Sequence, residues 1–275
     1  MKPDAIVLVD SVTTLDARHR DHVIVTGSHA GLVAARYVAA AHARAAIFND
    51  AGVGRDDAGI AGLGLLESIG LAATAVSHTS ARIGDARDTY DCGVVTHANL
   101  HARDLGVQRG ASARNSAHAL RQHVPVVRDP SPMSPPEGRT TLHAGDAANP
   151  RVIALDSIGL VQQSDAGAIL VIGSHGGLHG GDPASALPVV ACAAFFHDAG
   201  RGKDDAGITR LPVLDARAIP AATIDYRSAR IGDARSMWHS GVVSFVNATI
   251  ATRGARIGMT LKESVAALLA SAQST

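Results

Sequence analysis

The sequence predicts an α/β protein of two tandem homologous units, each a mainly parallel sheet with flanking helices, related by pseudo-twofold symmetry. Three observations support this prediction. A set of motifs occurs twice at a nearly constant spacing, short apolar runs alternate with helical patterns in each copy, and a proline-rich stretch separates the copies. Alternating strands and helices are typical of parallel sheets, and duplicated units commonly pack like a covalent homodimer.

The internal repeat is the strongest signal. Asp10-Ser11 and Gly27-Ser28-His29 recur 146 residues later, as Asp156-Ser157 and Gly173-Ser174-His175. Later motifs recur at a spacing of 148, so two residues were gained in between. The pairs at this second spacing are Asp50-Ala51-Gly52 with Asp198-Ala199-Gly200, 56–60 with 204–208, 80–87 with 228–235, and Asn99 with Asn247. The predicted division is unit one at 1–123, a linker at 124–145 and unit two at 146–275.

Short apolar runs in unit one predict strands, and longer periodic stretches predict helices. The runs are continuous and rich in β-branched residues, as in strands buried on both faces of a doubly wound parallel sheet. The predicted strands are Ala5–Val9, His22–Thr26, Ala45–Phe48, Ala72–Val76 and Gly93–Thr96, and the predicted helices are Leu32–Ala43, Asp56–Ile69 and Ser112–Gln122. In unit two a glycine-rich loop at Leu178–Pro183 replaces the first helix.

The stretch 124–145 is predicted to be an extended linker without helix. Proline fixes φ and lacks a backbone N–H, so a cluster of prolines disfavours helix. The prolines of this stretch are Pro125, Pro130, Pro132, Pro135 and Pro136.

Composition excludes several classes of partner. Lys plus Arg (25) balance Asp plus Glu (25) and aromatic residues make up 3%, so neither nucleic acid nor an anionic membrane is an expected partner. The longest apolar stretch, Ala186–Phe196, is shorter than the roughly 18 residues of a membrane span. Ala5–Val9 is too short for a signal-peptide core, and Cys92 and Cys192 form no metal-type pair. We therefore expect a cytoplasmic protein, and a homo-oligomer is compatible with this composition.

A serine and a histidine follow the second predicted strand of each unit. Ligands bind parallel sheets at the carboxyl ends of the strands. Ser28-His29 and Ser174-His175 lie there between glycines, in a pattern like the nucleophile elbow but with histidine at its centre. The pattern indicates an imidazole presented as acid, base or ligand beside a hydroxyl. The alternative, a turn in which both residues cap the next helix, is disfavoured because the motif recurs.

An aspartate ends the third predicted strand of each unit, at Asp50 and Asp198. The glycines that follow let backbone N–H groups approach an anion, which a nearby basic residue neutralises. The basic residues are Arg55 in unit one and Arg201 and Lys203 in unit two. At 56–57 and 204–205, one aspartate of each pair is equally well explained as a helix cap.

Arg82 and Arg230 recur in the motif Ser-Ala-Arg-Ile-Gly-Asp. Each arginine is a candidate bidentate clamp for a carboxylate or imide oxygen, and pairing with the nearby aspartate to pin a long loop is an equal alternative. The complete set of predicted substrate-binding residues is Arg201, Lys203, Arg230, Arg82, Arg55, Gly176, Gly200, Asn247 and Asn99.

The 14 histidines raise the alternative of a metal site. In unit two, His175, His179, His197 and Asp198 are residue types that bind zinc or another divalent cation. Unit one keeps only His29 and Asp50 of that set. A divalent metal is therefore the less favoured reading, and the predicted chemistry requires no cofactor.

These residues together predict an enzyme that hydrolyses an amide or other C–N bond in a small polar or anionic metabolite. His175 is the predicted general base, Asp198 its orienting partner and Ser174 the nucleophile or hydrogen-bond donor. The complete predicted catalytic set is His175, Ser174, Asp198, His197, His29, Ser28 and Asp50. Whether the two units share one composite site or have two is left open. The alternatives are a non-catalytic module that binds or senses a small anion, a lyase or isomerase, and a metal-dependent hydrolase.

Overall fold

The computed structural model describes residues 5–125, 138–146 and 149–272. The strands are β1 Ile6–Val9, β2 Val23–His29, β3 Ala45–Asn49, β4 Ala72–Val76, β5 Val95–Ala98, β6 Arg139–His143, β7 Val152–Leu155, β8 Ile169–His175, β9 Ala193–His197, β10 Ala221–Ile224 and β11 Val243–Val246. The helices are α1 Leu32–Ala40, α2 Gly62–Ser68, α3 Ala86–Cys92, α4 Leu100–Asp104, α5 Ala113–Leu120, α6 Arg210–Ala216, α7 Ala234–Ser240, α8 Ala248–Ala251 and α9 Leu261–Ala272. The predicted α/β class is confirmed.

The strands form two mixed sheets that are mostly parallel. The first has the order β1-β2-β3-β4-β5, and the second has the order β11-β10-β9-β8-β7-β6. The antiparallel strands are the edge strands β5, β6 and β11. Strand order therefore follows chain order in both sheets. This sequential order differs from the usual order of doubly wound sheets, in which the strand sequence reverses at a switch point.

Each sheet has helices on both faces. Successive strand residues point to opposite sides of the sheet, so each strand contributes side chains to both contacts. In the first sheet Ile24 and Phe48 pack with α1 and α2, whereas Val25 and Ile47 pack with α5. The second sheet packs α7 and α9 on one face and α6 on the other. On that second face the loop at 178–191, with a 3-10 turn at Pro183–Ser185, replaces a first helix, as predicted.

The predicted helix at Asp56–Ile69 begins later, at Gly62. Asp56 and Asp57 have φ of 54° and 55°, in the left-handed region that a right-handed helix excludes. Helices α3 and α4 were not predicted. They have seven and five residues and begin at the N-caps Asp85 and Asn99. Helices this short have fewer than three turns, which is too few for an apolar periodicity to be recognised in the sequence.

The stretch predicted to be a linker is only partly described. Four of its five prolines lie at 126–137, outside the described residues. Its last part forms strand β6, which pairs with β7 at the edge of the second sheet. Arg139 of β6 donates to both carboxylate oxygens of the buried Asp165, an ion pair that attaches this strand to unit two.

Matching residues of the two units meet in a shared core. Ala51, Ala58 and Ile83 pack with Ala199, Ala206 and Ile231, the residues 148 positions later. The hydrogen bonds across this contact are also reciprocal. The N–H of Arg55 donates to the Tyr226 carbonyl, and the N–H of Lys203 donates to the His78 carbonyl. The repeated loops of the two units are therefore brought together. Across the described ranges, no helix has the length and apolarity needed to cross a membrane.

Candidate functional site

The Gly-Ser-His motif of each unit is the last part of a strand. A Cβ on Gly27 would clash with the backbone of Gly84 and Asp85, so glycine lets that turn lie directly on β2. The Gly84 N–H donates to the Gly27 carbonyl at 2.8 Å. In unit two the Gly232 N–H donates to Gly173 in the same way, at 2.9 Å. Gly27 and Gly173 therefore allow two backbone segments to lie in direct contact. As a result, the turn that contains Arg82 or Arg230 lies beside the end of the strand.

His29 and His175 are buried imidazoles with a defined tautomer. The Nδ1 of His29 accepts from the Gly31 N–H at 3.1 Å, and the Nδ1 of His175 accepts from the Gly177 N–H at 3.2 Å. Each ring is therefore protonated at Nε2 when neutral. Burial lowers the pKa of His29 to about 4, and burial holds the pKa of His175 well below its usual value. Both rings are neutral near pH 7 and present an N–H.

A cavity of about 310 Å³ lies between the two units beside His29. Unit one contributes His29 and, from α1, Arg36. Unit two contributes Asp156 and the turn that contains Arg230, Gly232 and Asp233. In the described part of the chain, the His29 Nε2 has no hydrogen-bond partner. This N–H is therefore not engaged by the described residues and lies beside the cavity.

The charged groups around this cavity differ in how they are paired. Arg230 donates to Asp233 Oδ2 at 2.9 and 3.1 Å and to Asp56 Oδ2 at 3.1 Å. Asp156 instead accepts the N–H groups of Ala234 and Gly138. It has no hydrogen bond or ion pair with an Arg or Lys of the described chain. Burial raises the pKa of Asp156. The cavity thus has a carboxyl group without an ion-pair partner in the described chain and a neutral imidazole donor.

Arg36 is the unpaired cation of the same cavity. It is half-buried on α1, and no hydrogen bond or ion pair joins it to another residue of the described ranges. Arg230, by contrast, is already shared between two carboxylates.

A narrower cavity of about 40 Å³ is lined by the residues of both Ser-His motifs, Ser28 with His29 and Ser174 with His175. The Ser28 Oγ accepts from the Val12 N–H at 3.1 Å, and the Ser174 Oγ accepts from the Ile158 N–H at 2.9 Å. Neither serine is hydrogen-bonded to a histidine among the described contacts. The motif residues therefore meet, but the Oγ of each serine is hydrogen-bonded to the loop that follows β1 or β7 and not to a histidine.

The site that corresponds to the His29 cavity is filled in the other half. Beside His175, the segment Leu178–Gly180 lies on the turn at Gly84, and the Gly180 N–H donates to the Gly84 carbonyl at 2.8 Å. A Cβ on Gly180 would come 2.6 Å from Asp10 Oδ2. The chain itself occupies this second site.

Asp198 and His175 line different cavities, and no hydrogen bond or ion pair joins them in the described structure. Asp198 lies with Gly200 and Arg201 at an open depression of about 710 Å³. Its Oδ1 accepts from the N–H groups of Gly200 and Tyr226. Burial raises the pKa of Asp198 to about 6. The pairing expected between His175 and Asp198 is therefore absent from the described contacts.

Asp50 holds in place the loop of unit one that corresponds to the loop after Asp198. Its carboxylate pairs with His78 Nδ1 at 2.9 Å and accepts from the Thr96 hydroxyl at 3.0 Å. It also accepts the N–H groups of Gly52 and His78. Asp50 does not line the cavity beside His29.

His197 and Asn49 make the same pair of contacts at equivalent positions. The His197 Nδ1 accepts from the Ala199 N–H, and its Nε2 donates to the Ala229 carbonyl at 3.0 Å. Asn49 accepts from the Ala51 N–H and donates to the Ala81 carbonyl at 3.0 Å. Both atoms of each side chain are used to hold loops together, so His197 is a structural residue in these contacts.

Three other basic residues bridge the units. Arg82 pairs with Asp85, Asp88 and Asp204, and Lys203 pairs with Asp88 at 2.8 Å. Arg55 donates to the Ser228 carbonyl and the Ser240 hydroxyl. Their charges are therefore engaged within the protein.

Asn99, Asn247 and Gly176 support the fold. Asn99 accepts the N–H groups of Ala73 and Ala102 and so joins β4 to the start of α4. Asn247 does the same for β10 and α8. A Cβ on Gly176 would come 2.6 Å from the Gly207 carbonyl oxygen, so the glycine permits close backbone contact.

Asp156, Arg36 and Asp233 line the cavity but were not among the predicted site residues. Asp156 had a usable signal, since Asp10-Ser11 and Asp156-Ser157 recur at the ends of the first strands. Arg36 had none, because unit two has no helix there. No group of three or more His, Cys, Asp or Glu in the described part of the chain is arranged to hold a metal ion.

Comparison with models of protein families, with characterised proteins and with solved structures gives no match for this chain.

Proposed function

We propose that this chain is an enzyme that hydrolyses an amide or other C–N bond in a small molecule, at one composite site in the His29 cavity. We further propose that the two units are homologous and related by pseudo-twofold symmetry. The turn at Gly84 then faces the strand that ends at His175, and the turn at Gly232 faces the strand that ends at His29. Support comes from the reciprocal contacts at Arg55 with Tyr226 and at Lys203 with His78. The observation that carries the proposal is that His29 of one unit and Asp156 of the other line one cavity.

In this mechanism Asp156 moves the proton. Its carboxylate takes a proton from water, whose oxygen attacks the carbonyl carbon of the substrate. The C–N bond then breaks, and the proton passes from Asp156 to the departing nitrogen. A carboxyl group whose pKa is raised by burial is better matched to proton transfer near neutral pH than an ordinary aspartate.

His29 stabilises the negative charge that develops on the carbonyl oxygen. The neutral ring donates from Nε2, because its Nδ1 is occupied by the Gly31 N–H. A fixed donor in a partly enclosed site is effective because it needs no reorganisation as the charge appears. This role replaces the general base and serine nucleophile expected from the sequence.

A proton shift beside a carbonyl, as in an isomerase or lyase, is the second candidate. A neutral imidazole donor together with a carboxylate base is also the arrangement that such enzymes use. The two reactions are distinguished by their products. Hydrolysis separates the carbonyl fragment from the nitrogen, whereas a proton shift incorporates deuterium from solvent at carbon.

The test is to incubate the purified chain in D₂O with panels of small amides, cyclic imides and oxo acids and to follow products by NMR. With a turned-over substrate, Asp156→Asn should lower kcat about 10²-fold to 10⁴-fold, and His29→Gln should lower it about 10²-fold. The chain supplies matched controls at the filled site. Asp10→Asn and His175→Gln should keep most of the activity, because Leu178–Gly180 excludes substrate there.

Equal losses in Asp10→Asn and Asp156→Asn would contradict a single composite site at His29. Binding without turnover of any panel member, unchanged by Asp156→Asn, would favour a non-catalytic sensor instead.

A further inference from the structure

The open cavity beside His29 has a counterpart in the same chain that Leu178–Gly180 fills. The same three features surround both places, and we call each set of three a framework. The filled framework consists of the Gly84 turn, which lies on Gly27, of Asp10, which accepts the Ala86 N–H, and of His175. The open framework consists of the Gly232 turn, which lies on Gly173, of Asp156, which accepts the Ala234 N–H, and of His29. What fills one framework therefore indicates what the other accepts.

The occupant of the filled framework is a stretch of backbone. The Gly180 N–H donates to the Gly84 carbonyl at 2.8 Å, and the Leu178 carbonyl oxygen lies against the Gly84 Cα. At the open framework, a Cβ on Gly232 would meet only the His29 ring, at 3.4 Å. The Gly232 carbonyl accepts no hydrogen bond from the described residues. The open site has the same acceptor, and no described residue donates to it.

We propose that the His29 cavity binds a small amide whose N–H donates to the Gly232 carbonyl, in the place that the Gly180 N–H takes at Gly84. This inference rests on the proposed function, which makes this cavity the substrate site, and it names the substrate class. A backbone carbonyl held in a turn accepts an N–H and repels an oxygen lone pair, so the site selects amides over esters of the same shape.

The amide carries an anionic group that pairs with Arg36. This arginine belongs to α1, the helix that unit two lacks, so the filled framework has no arginine at the position of Arg36. Arg230 is shared between Asp56 and Asp233, whereas Arg36 has no partner in the described part of the chain. A carboxylate on the ligand would form a bidentate pair with this guanidinium.

Three probes of similar shape test these two features separately. N-acetylglycine has both the N–H and the carboxylate, acetoxyacetate has an ester oxygen in place of the N–H, and N-acetylglycinamide lacks the negative charge. Their dissociation constants are measured by titration calorimetry, and binding is located by NMR of the His29 ring protons. We expect N-acetylglycine to bind at least about tenfold more tightly than either analogue.

Two variants distinguish a direct contact with Arg36 from the effect of removing one positive charge anywhere on the protein. Arg36→Gln should remove the preference for N-acetylglycine over N-acetylglycinamide without changing the preference over acetoxyacetate. Arg253→Gln, which removes an exposed arginine that does not line the cavity, is the matched control and should change neither. Circular dichroism of both variants establishes that they are folded.

The proposal is overturned if N-acetylglycine does not bind, or if the three probes bind equally. It is also overturned if Arg36→Gln and Arg253→Gln behave alike. These outcomes are separate from failure of the proposed function. Selective binding of N-acetylglycine together with turnover that Asp156→Asn leaves unchanged would refute the catalytic roles and leave this ligand class standing.

Discussion

Arg210 and Gly62 occupy equivalent positions in the two units and make the same backbone hydrogen bond. The Arg210 N–H donates to Gly176 and the Gly62 N–H donates to Ala30, both at 2.8 Å. The Arg210 side chain is fully buried, donates to the Ser185 and Ala186 carbonyls, and lies over the Phe196 ring. In unit one a Cβ on Gly62 would come 2.6 Å from Ala35 of α1. The equivalent position thus packs against helix α1 in unit one and against a loop in unit two.

Arg210→Ala should lower the free energy of unfolding by about 2–4 kcal/mol, because it leaves a void and removes the donors of two loop carbonyls. Burial lowers the pKa of Arg210 to about 9, so the side chain is still charged at pH 7. Urea denaturation measures the change. Arg217→Ala is the control, since this exposed arginine also donates to a loop carbonyl, at Leu187, and should cost less than about 1 kcal/mol. Similar losses in both variants would contradict the role of Arg210.

His197→Asn should make folding less sensitive to acid. Burial lowers the pKa of His197 to about 4, so between about pH 6.5 and pH 4 the unfolded chain binds more protons than the folded chain. Stability therefore falls as pH falls through this window, by up to about 1.4 kcal/mol per pH unit for each such histidine. Asparagine, the residue at equivalent position 49, keeps one acceptor and one donor but does not titrate.

Denaturation midpoints between pH 4 and pH 7 measure this difference. The wild type should lose more stability across that range than His197→Asn. Asn49→Ala serves as the comparison, because it removes the same two bonds in unit one without removing a titrating group and should cost about 1–3 kcal/mol at every pH. An unchanged pH slope in His197→Asn would show that His197 does not protonate on unfolding.

Alanine should have opposite effects at Gly27 and Gly64. At Gly27 the new Cβ would clash with the backbone of the Gly84 turn, so we expect a loss of about 3 kcal/mol or more. Gly64 is exposed in α2 with nothing within 4 Å of its Cβ position, so alanine should stabilise the protein by about 0.5–1 kcal/mol. Thermal and urea unfolding measure both changes. A neutral Gly27→Ala variant would mean that the turn moves away from β2 at little cost.

Much of the architecture could be predicted from the sequence, because a strand buried on both faces requires a continuous apolar run that can be recognised locally. Ala72–Val76 is a strand within its predicted bounds, and the loss of the first helix in unit two is visible in its glycines. Helix boundaries were harder. Asp56 and Asp57 lie in the left-handed region directly after Arg55, whose N–H is bonded to the other unit, and a helical apolar pattern does not indicate such a break.

The site was predicted only in part. The repeated histidines do lie at the strand ends and line a shared cavity. His197 and Asp198, however, are chemically suitable residues whose atoms are used by neighbouring loops. A residue type shows what a side chain can do, whereas its hydrogen-bond partners determine what remains free.

The sequence by itself determined that the chain is an α/β protein with a duplicated set of motifs, because repetition and apolar patterning are local properties of the chain. Only the tertiary structure decided which of the two equivalent sites is open. That outcome depends on how α1 and the Leu178–Gly180 segment fill space against the opposite unit, and steric exclusion between residues distant in sequence has no signature in either copy alone.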